Sequence, residues 1–408
     1  MDLGADVPHV AIGDIEAARR LLDGVAIQTP MEVSRSLAAV AKTPVHLKCE
    51  NLQRTGSFKI RGAYVRISGL SKDDRARGVV AASAGNHAQG VALAASLLDT
   101  HCTVFMPEGA PIPKEEATRA YGADVRFTGS SVDDALEAAH EYADKTDAVL
   151  IHPFNHPDII AGQGTIGLEI LEQLPAVATV LVAVGGGGLA AGLATAIHSR
   201  RPDVSVVGVQ AENAATYPAS LAAGHPLSIE LSPTMADGIA VGRPGDVPFA
   251  AIQRLVDRVV TVSEESMSQA LLMLAERAKQ VVEPAGAAAV AALLQYPGQF
   301  SGPVVAILSG GNIDPLLLMQ VIRHGLASAR RYLSFRVRIP DHPGELVRML
   351  SQLADLQVNV LDVVHERTSA HLHFDEVVVA LQVETRGQRH CEQVLTRLRE
   401  VGYPVSFS

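Results

Sequence analysis

The chain has 408 residues, 48% hydrophobic and 19% charged, with a net charge of −10 and no long basic run. That is enough for two or three domains with a large core, and it argues against nucleic acid as the main partner. The three cysteines, Cys49, Cys102 and Cys391, are far apart and lack CxxC spacing, which speaks against a disulfide framework or a cysteine zinc site and fits a reducing compartment. Apolar stretches are broken by glycine or charge short of a membrane span, and Met1 to Ile12 carries Asp2, Asp6 and a proline instead of a leader pattern, so a cytoplasmic protein is expected.

In chain order, Ile12–Val25 reads as an amphipathic helix that Asp14 caps and Gly24 ends. Val45–Cys49 is a short strand leading into Ser57-Phe58-Lys59-Ile60-Arg61-Gly62, and Lys59–Leu70 a helix. An alternation follows: strand Val79–Ala82, helix His87–Leu98, strand Cys102–Met106, helix Pro113–Tyr121, strand Asp124–Phe127, helix Ser131–Asp144 and strand Val149–Ile151. This order implies a parallel sheet with helices on both faces. A second α/β block runs through helix Gly164–Gln173, strand Thr179–Val184, helix Leu189–Ser199, strand Val204–Gln210, a long helix Ser263–Gln280 capped by Ser263, and strand Val304–Leu308. The texture changes near Arg330, where Ala327–Arg331 reads as a hinge. Strand Tyr332–Ile339, helix Gly344–Leu356, strands Val358–Arg367 and Glu376–Glu384, helix Gln388–Val401 and strand Pro404–Phe407 then give the order βαββαβ, a ferredoxin-like unit.

Four loops carry chemistry. Lys59 follows an aromatic residue and is flanked by glycines, the setting of a Schiff-base lysine: partial desolvation lowers the amine's pKa, and Phe58 offers a wall for a flat cofactor. Gly185-Gly186-Gly187-Gly188 ends a buried strand and opens a helix, so its bare amides form a phosphate cradle. It is not GxGxxG, nor is it followed by Gly-Lys-Ser/Thr, which disfavours dinucleotides and nucleoside triphosphates. Ser83-Ala84-Gly85-Asn86-His87 also lies between strand and helix, where Ser83, Asn86 and loop amides suit a carboxylate. Ser309-Gly310-Gly311-Asn312 is the third strand-end loop, with a hydroxyl suited to a ring nitrogen.

Together, in this order and spacing, the four loops resemble the fold-type II pyridoxal-phosphate enzymes over roughly residues 10 to 325. Threonine and serine dehydratases are nearest, and serine racemases close behind. The tail, through Asp341-His342-Pro343-Gly344-Glu345-Leu346, resembles an ACT domain. The whole chain is similar to a threonine ammonia-lyase with one such module. The resemblance implies a tryptophan-synthase-β-like α/β catalytic domain over residues 1–329, with a small subdomain at about 50–155, and a regulatory ACT domain over 330–408. It implies pyridoxal 5'-phosphate bound covalently by Lys59, which then moves the α-proton. Phe58 packs near the ring, Gly185 to Gly188 hold the phosphate, Asn86 bonds the phenolic oxygen, and Ser309 meets the pyridine nitrogen. Ser83, Ala84, Asn86 and His87 frame the substrate carboxylate; Asn155, Gly238 and Glu283 belong to the pocket walls.

Threonine and serine are the expected substrates. The expected effector is isoleucine or valine at Asp341, Pro343, Gly344 and Leu346, and the expected assembly a homodimer or homotetramer without nucleic acid or membrane. Racemases of this type carry a second serine where this chain has Ala84, and racemisation needs proton transfer on both faces, so a lyase is expected. Serine racemase, serine dehydratase and a decayed amino-acid sensor are the alternatives. No metal site is expected: the residues after Glu212 offer no second carboxylate, and Asp237 reads as structural.

Overall fold

The computed structural model describes residues 8–328, 330–367 and 375–407. Residues 1–7 and Ala329, within the expected leader-free start and hinge, lie outside them. The chain divides into two compact units, Met1–Leu318 and Met319–Ser408. The division falls inside helix Pro315–Ser328.

The first unit holds two sheets. The smaller runs in the order Asp124–Phe127, Cys102–Met106, Val79–Ala82, Val149–Leu150 and is parallel throughout. The larger runs Met31–Val33, Val45–Lys48, Val304–Ile307, Thr179–Ala183, Ser205–Ala211, Arg258–Val262. It is parallel except for the first pair, so an antiparallel edge strand joins the expected parallel sheet. Central strands such as Thr179–Ala183 and Val304–Ile307 are buried along their whole length, as strands covered on both faces must be. All three loops that follow Ala82, Ala183 and Ile307 leave carboxyl ends of strands, where open parallel sheets bind ligands.

Several elements differ from the sequence reading. Ala11, not Asp14, is the N-cap of helix Ile12–Leu21, and Asp14 accepts from the Ala11 amide at 2.8 Å. The helix of the second block starts earlier, at Pro157, with His156 as cap. The long helix from Ser263 is interrupted: Glu264–Met273 passes into a π-turn, Leu274–Ala278, and stops at left-handed Lys279. The Ser263 hydroxyl does cap it, accepting from Ser266 N at 3.2 Å. Helix Pro284–Gln295 has no counterpart in that reading; it is buried on nearly every side, so no apolar period marks it.

The second unit pairs Asn359–Glu366, Glu376–Glu384, Tyr332–Pro340 and Val405–Ser406 in that order, all antiparallel. Helices Glu345–Asp355 and Gln388–Glu400 complete the ferredoxin-like βαββαβ fold. Alternate residues Leu333, Phe335, Val337 and Ile339 meet Met349, Leu353, Val394 and Leu398 in a core of the unit's own.

Beside the lysine helix, Lys59–Ser68, lies a buried group of four charges. Lys48, Glu50, Arg61 and Glu169 are each 8% exposed or less. Glu169 accepts from Lys48 and from Arg61 Nη1 at 2.6 Å each, and Glu50 accepts from Arg61 Nε and Nη2 at 2.9 Å each. Thr29, Thr165 and the carbonyls of Thr29 and Ile27 take the remaining positions. Burial works against the Arg61 charge, but the two carboxylates more than offset it and raise its pKa. Arg61→Leu leaves two buried carboxylates without their main partner, and the expected loss is about 3–5 kcal/mol. Urea unfolding should show a clearly lowered midpoint; an unchanged one would contradict the account.

Candidate active site

The strand-end loops meet around a cavity of about 1000 Å³. Its wall includes Phe58, Lys59, Ser83, Ala84, Gly85, Asn86, Gly185 to Gly188, Gly238, Glu283 and Ser309.

Lys59 is the first residue of its helix, and the preceding turn is sewn to the loop at Ser309. Ser57 bridges Gly310, Phe58 N donates to Ser309 O at 3.3 Å, and Gly311 N donates to Gly56 O at 2.9 Å. Asn312 Nδ2 donates to Thr55 O at 2.6 Å. Gly56 has φ +69, and a side chain there would strike Asn312. Helix Asn86–Leu97 presses on the lysine from the other side: a Cβ at Gly90 would stand 3.0 Å from the Lys59 carbonyl carbon. Lys59 Nζ donates to Pro153 O at 3.2 Å and lies 5.3 Å from the centre of the Phe58 ring. Burial pulls its pKa down to about 8, against a partial opposing pull from Glu283. A sizeable neutral fraction therefore exists near pH 8, as a nucleophilic amine requires.

Asn86 is held at both ends of its amide. Oδ1 accepts from Asn312 Nδ2 at 2.7 Å, and Nδ2 donates to Glu283 Oε1 at 2.6 Å. Its second amide hydrogen remains free for an acceptor in the cavity. Burial, and then Asp237, push the Glu283 carboxyl up to about 7. The Ser309 hydroxyl has no protein partner among the described residues, although the residue is only 5% exposed.

Gly185 to Gly188 join strand Thr179–Ala183 to helix Gly188–Arg200. Among the described residues, none of their amides finds an acceptor; the Gly186 carbonyl is taken by Tyr217 Oη at 3.2 Å and Gly245 N at 3.1 Å. Gly187 has φ +102, and a Cβ there would lie 2.9 Å from Ile252 Cδ1 and 3.0 Å from Pro248 Cβ. Unpartnered amides at a helix N-terminus, with no room for side chains, suit a phosphate.

The Ser83–His87 loop leads into helix Asn86–Leu97, and the Ser83 hydroxyl accepts from Gly85 N at 3.1 Å. The His87 imidazole does not face a substrate carboxylate, as the sequence reading allowed. Nε2–H donates to Ile151 O at 2.7 Å, and burial, with Lys59 nearby, holds its pKa down at about 3. Asn155 is absent from the cavity wall; its Oδ1 accepts from Val247 N at 3.0 Å and fixes the loop before helix Asp246–Leu255. Gly238 and Glu283 are in the wall. Sequence reasoning missed Lys114, whose ammonium pairs with Asp237 at 3.1 Å, and Gln163, a cavity residue 1% exposed whose Oε1 has no partner. Hydropathy gave no signal for either, because both sit on otherwise ordinary helices.

These parts agree with the chain's relatives. Residues 22–310 match the model of the pyridoxal-phosphate dependent enzymes. A curated L-threonine ammonia-lyase of Thermotoga maritima is 46% identical, over 97% of this chain and 99% of that protein. The processed threonine deaminase isoform 2 of Solanum lycopersicum has a solved structure that is 38% identical, with a TM-score of 0.74, over 77% of this chain and 92% of that one. Maize serine racemase also superimposes at 0.74, with 34% identity over 78% and 99%. The chain belongs to the pyridoxal-phosphate dependent enzymes. Its catalytic unit has the fold-type II architecture of the family's threonine deaminases and serine racemases, and it depends on pyridoxal phosphate.

The residues fit that cofactor: an amine with a lowered pKa, an empty-handed amide cradle, a free amide hydrogen on Asn86 and an unengaged hydroxyl on Ser309. Gly187→Ala forces a left-handed side chain into the cradle, at a cost of about 1–3 kcal/mol. Cofactor affinity, read by absorbance titration, should fall by about tenfold or more. Unchanged affinity would remove the phosphate from this loop.

Proposed function

We propose that the chain is an L-threonine ammonia-lyase, converting L-threonine to 2-oxobutanoate and ammonia, and L-serine to pyruvate and ammonia, as a cytoplasmic homodimer or homotetramer. The observation that carries the reading is the conjunction, in one cavity, of the desolvated Lys59 amine, the unpartnered tetraglycine amides and the methyl group of Ala84.

When bound, the cofactor supplies an aldehyde for amine exchange and a conjugated ring that accepts the electron pair released at the α-carbon. Gly185 to Gly188 would hold its phosphate, Asn86 its phenolic oxygen, Ser309 its ring nitrogen and Phe58 a face of the ring. Lys59, displaced by the substrate amine, is the base that takes the α-proton. Amides of the Ser83–His87 loop fix the carboxylate, and with it the direction of the Cα–H bond. The β-hydroxyl would leave as water, taking up the proton that Lys59 removed, and hydrolysis of the enamine so released would yield the 2-oxo acid and ammonia. Ser309 would offer the ring nitrogen a hydroxyl and not a carboxylate, which does not stabilise a ring proton, and this favours loss of the β-hydroxyl. Ala84 has no proton to give or take, and this favours elimination over racemisation even though racemases share the fold.

The direct test is product analysis. L-threonine should give 2-oxobutanoate with equimolar ammonia, and L-serine should give pyruvate faster than D-serine. Lys59→Ala should lower turnover by at least about a thousandfold while the chain stays folded. Dominant D-serine formation would move the assignment to the racemases.

For the tail we propose a regulatory amino-acid site at Asp341, Pro343, Gly344 and Leu346. Gly344 is the N-cap of helix Glu345–Asp355 with φ +92, and the amides of Gly344 and Leu346 have no acceptor among the described residues. Asp341 is less available than the sequence reading allowed: its amide donates to Asp375 O at 2.7 Å and its carboxylate pairs with Arg367 at 3.1 Å. The free amides and the helix N-terminus suit the carboxylate of a branched-chain amino acid. Calorimetry on the full chain should detect L-isoleucine or L-valine. Either should change the threonine dependence of the full chain but not of a chain ended after Ser328. No heat with either amino acid would leave the tail an assembly module.

A further inference from the structure

Helix Ile112–Ala120 carries Lys114 in its first turn. The side chain reaches into the cavity wall, where it is 15% exposed, and Nζ donates to Asp237 Oδ2 at 3.1 Å. Nζ also lies 4.0 Å from the point where a Cβ on Gly85 would stand. A full positive charge therefore sits over the Ser83–Asn86 loop, beside the open first-turn amides of helix Asn86–Leu97. We propose that Lys114 is a further substrate-binding residue, its ammonium facing the α-carboxylate of the bound amino acid, with Asp237 as the competing anion that pairs with it when no substrate is bound. The inference rests on the reading of the protein as an amino-acid lyase.

Asp237 alone does not account for this lysine. Its side chain is 62% exposed, and an ion pair with so wet a carboxylate contributes little. Holding a four-carbon side chain in one rotamer costs entropy. A second anion on the cavity side makes the arrangement favourable. The other ionisable side chains in the cavity wall are Lys59, His87, Asp133, His152, Arg243 and Glu283. Burial and Asp237 push the Glu283 carboxyl up to about 7, which weakens it as a competing partner for the Lys114 ammonium. An anion arriving there meets the ammonium and the helix N-terminus together, in a setting that salt screens poorly. Of the substrate's two charged groups, the amine is consumed in exchange with Lys59, so the carboxylate is the one that needs a lasting partner. A site for that carboxylate built only from uncharged donors would be weaker than one with a charged donor.

The test uses the holoenzyme. Lys114→Met should raise KM for L-threonine by about tenfold or more while kcat stays within about twofold, the pattern of lost binding common to ground and transition states. The dissociation constant of L-alanine, which lacks a β-leaving group, should rise by the same factor when read from the cofactor's absorbance. Lys114→Gln, measured alongside, should behave the same way, and Lys114→Arg should recover most of the affinity. Asp237→Asn should leave KM unchanged or lower it, since it removes a competing anion. An unchanged alanine dissociation constant in both Lys114→Met and Lys114→Gln overturns the inference. So does a KM raised equally by Asp237→Asn and restored by exchanging the two charges, which would make the pair a latch across the mouth. A wild-type chain that binds cofactor but never turns over threonine overturns the lyase reading instead, a distinct result.

Discussion

Two carboxylates and two cations share one dry pocket, and the position of Lys59 depends on them. Each of these ions alone would cost several kcal/mol to bury. Lys48, Glu50, Arg61 and Glu169 are tolerated because every formal charge has an opposite within hydrogen-bond distance, the leftover donors reach Thr165, Gln173 and backbone carbonyls, and the Thr29 hydroxyl donates to Glu50. Such a set has essentially one geometry. It joins the end of strand Val45–Lys48, the turn at Glu50, the helix starting at Lys59 and helix Pro157–Gln173. Shifting the lysine helix by one residue would break all the bonds of Arg61 at once. Arg61 lies two residues beyond Lys59, so the cluster fixes the helix end from which the reactive amine projects.

On the cavity side the physics is reversed. Here, among the described residues, polar groups find no protein partner: four glycine amides, the Ser309 hydroxyl, one hydrogen of Asn86 and the Gln163 carbonyl. Buried donors without partners are costly, and stability alone would select against them. Their concentration along one wall marks where a ligand completes the fold. The same low-dielectric surroundings lower the Lys59 pKa and raise that of Glu283, so both proton-carrying groups are brought toward neutrality. Glu283 lies one hydrogen bond from Asn86, so its ionisation is coupled to the orientation of that amide.

What could be read from the sequence was local. Each strand-end loop announces itself within five or six residues, because close approach demands glycine and anion binding demands small side chains before a helix. The alternation of Leu333, Phe335, Val337 and Ile339 gave the tail's open sheet for the same reason. What stayed hidden was non-local or unpatterned. Arg61 and Glu169 are 108 residues apart, and nothing in either segment names the other. Helix Pro284–Gln295 is apolar on all sides, so it has no period. Asn155 and His87 carry plausible chemistry but turn to Val247 N and Ile151 O, a choice made by packing. Lys114 acquires its meaning only when its helix is brought over Gly85.

The tail raises a different kind of question. Its strands and helices enclose a core of their own, from Leu333 to Leu398. A ligand at Gly344 touches neither Lys59 nor the tetraglycine loop in sequence. It can alter turnover only to the extent that it binds one arrangement of the chain, or of its oligomer, more tightly than another. Linkage then requires the reverse: threonine at the active site must change the ligand's affinity by the same factor. A tail that binds isoleucine with an affinity indifferent to threonine would be a passive receptor, whatever its fold.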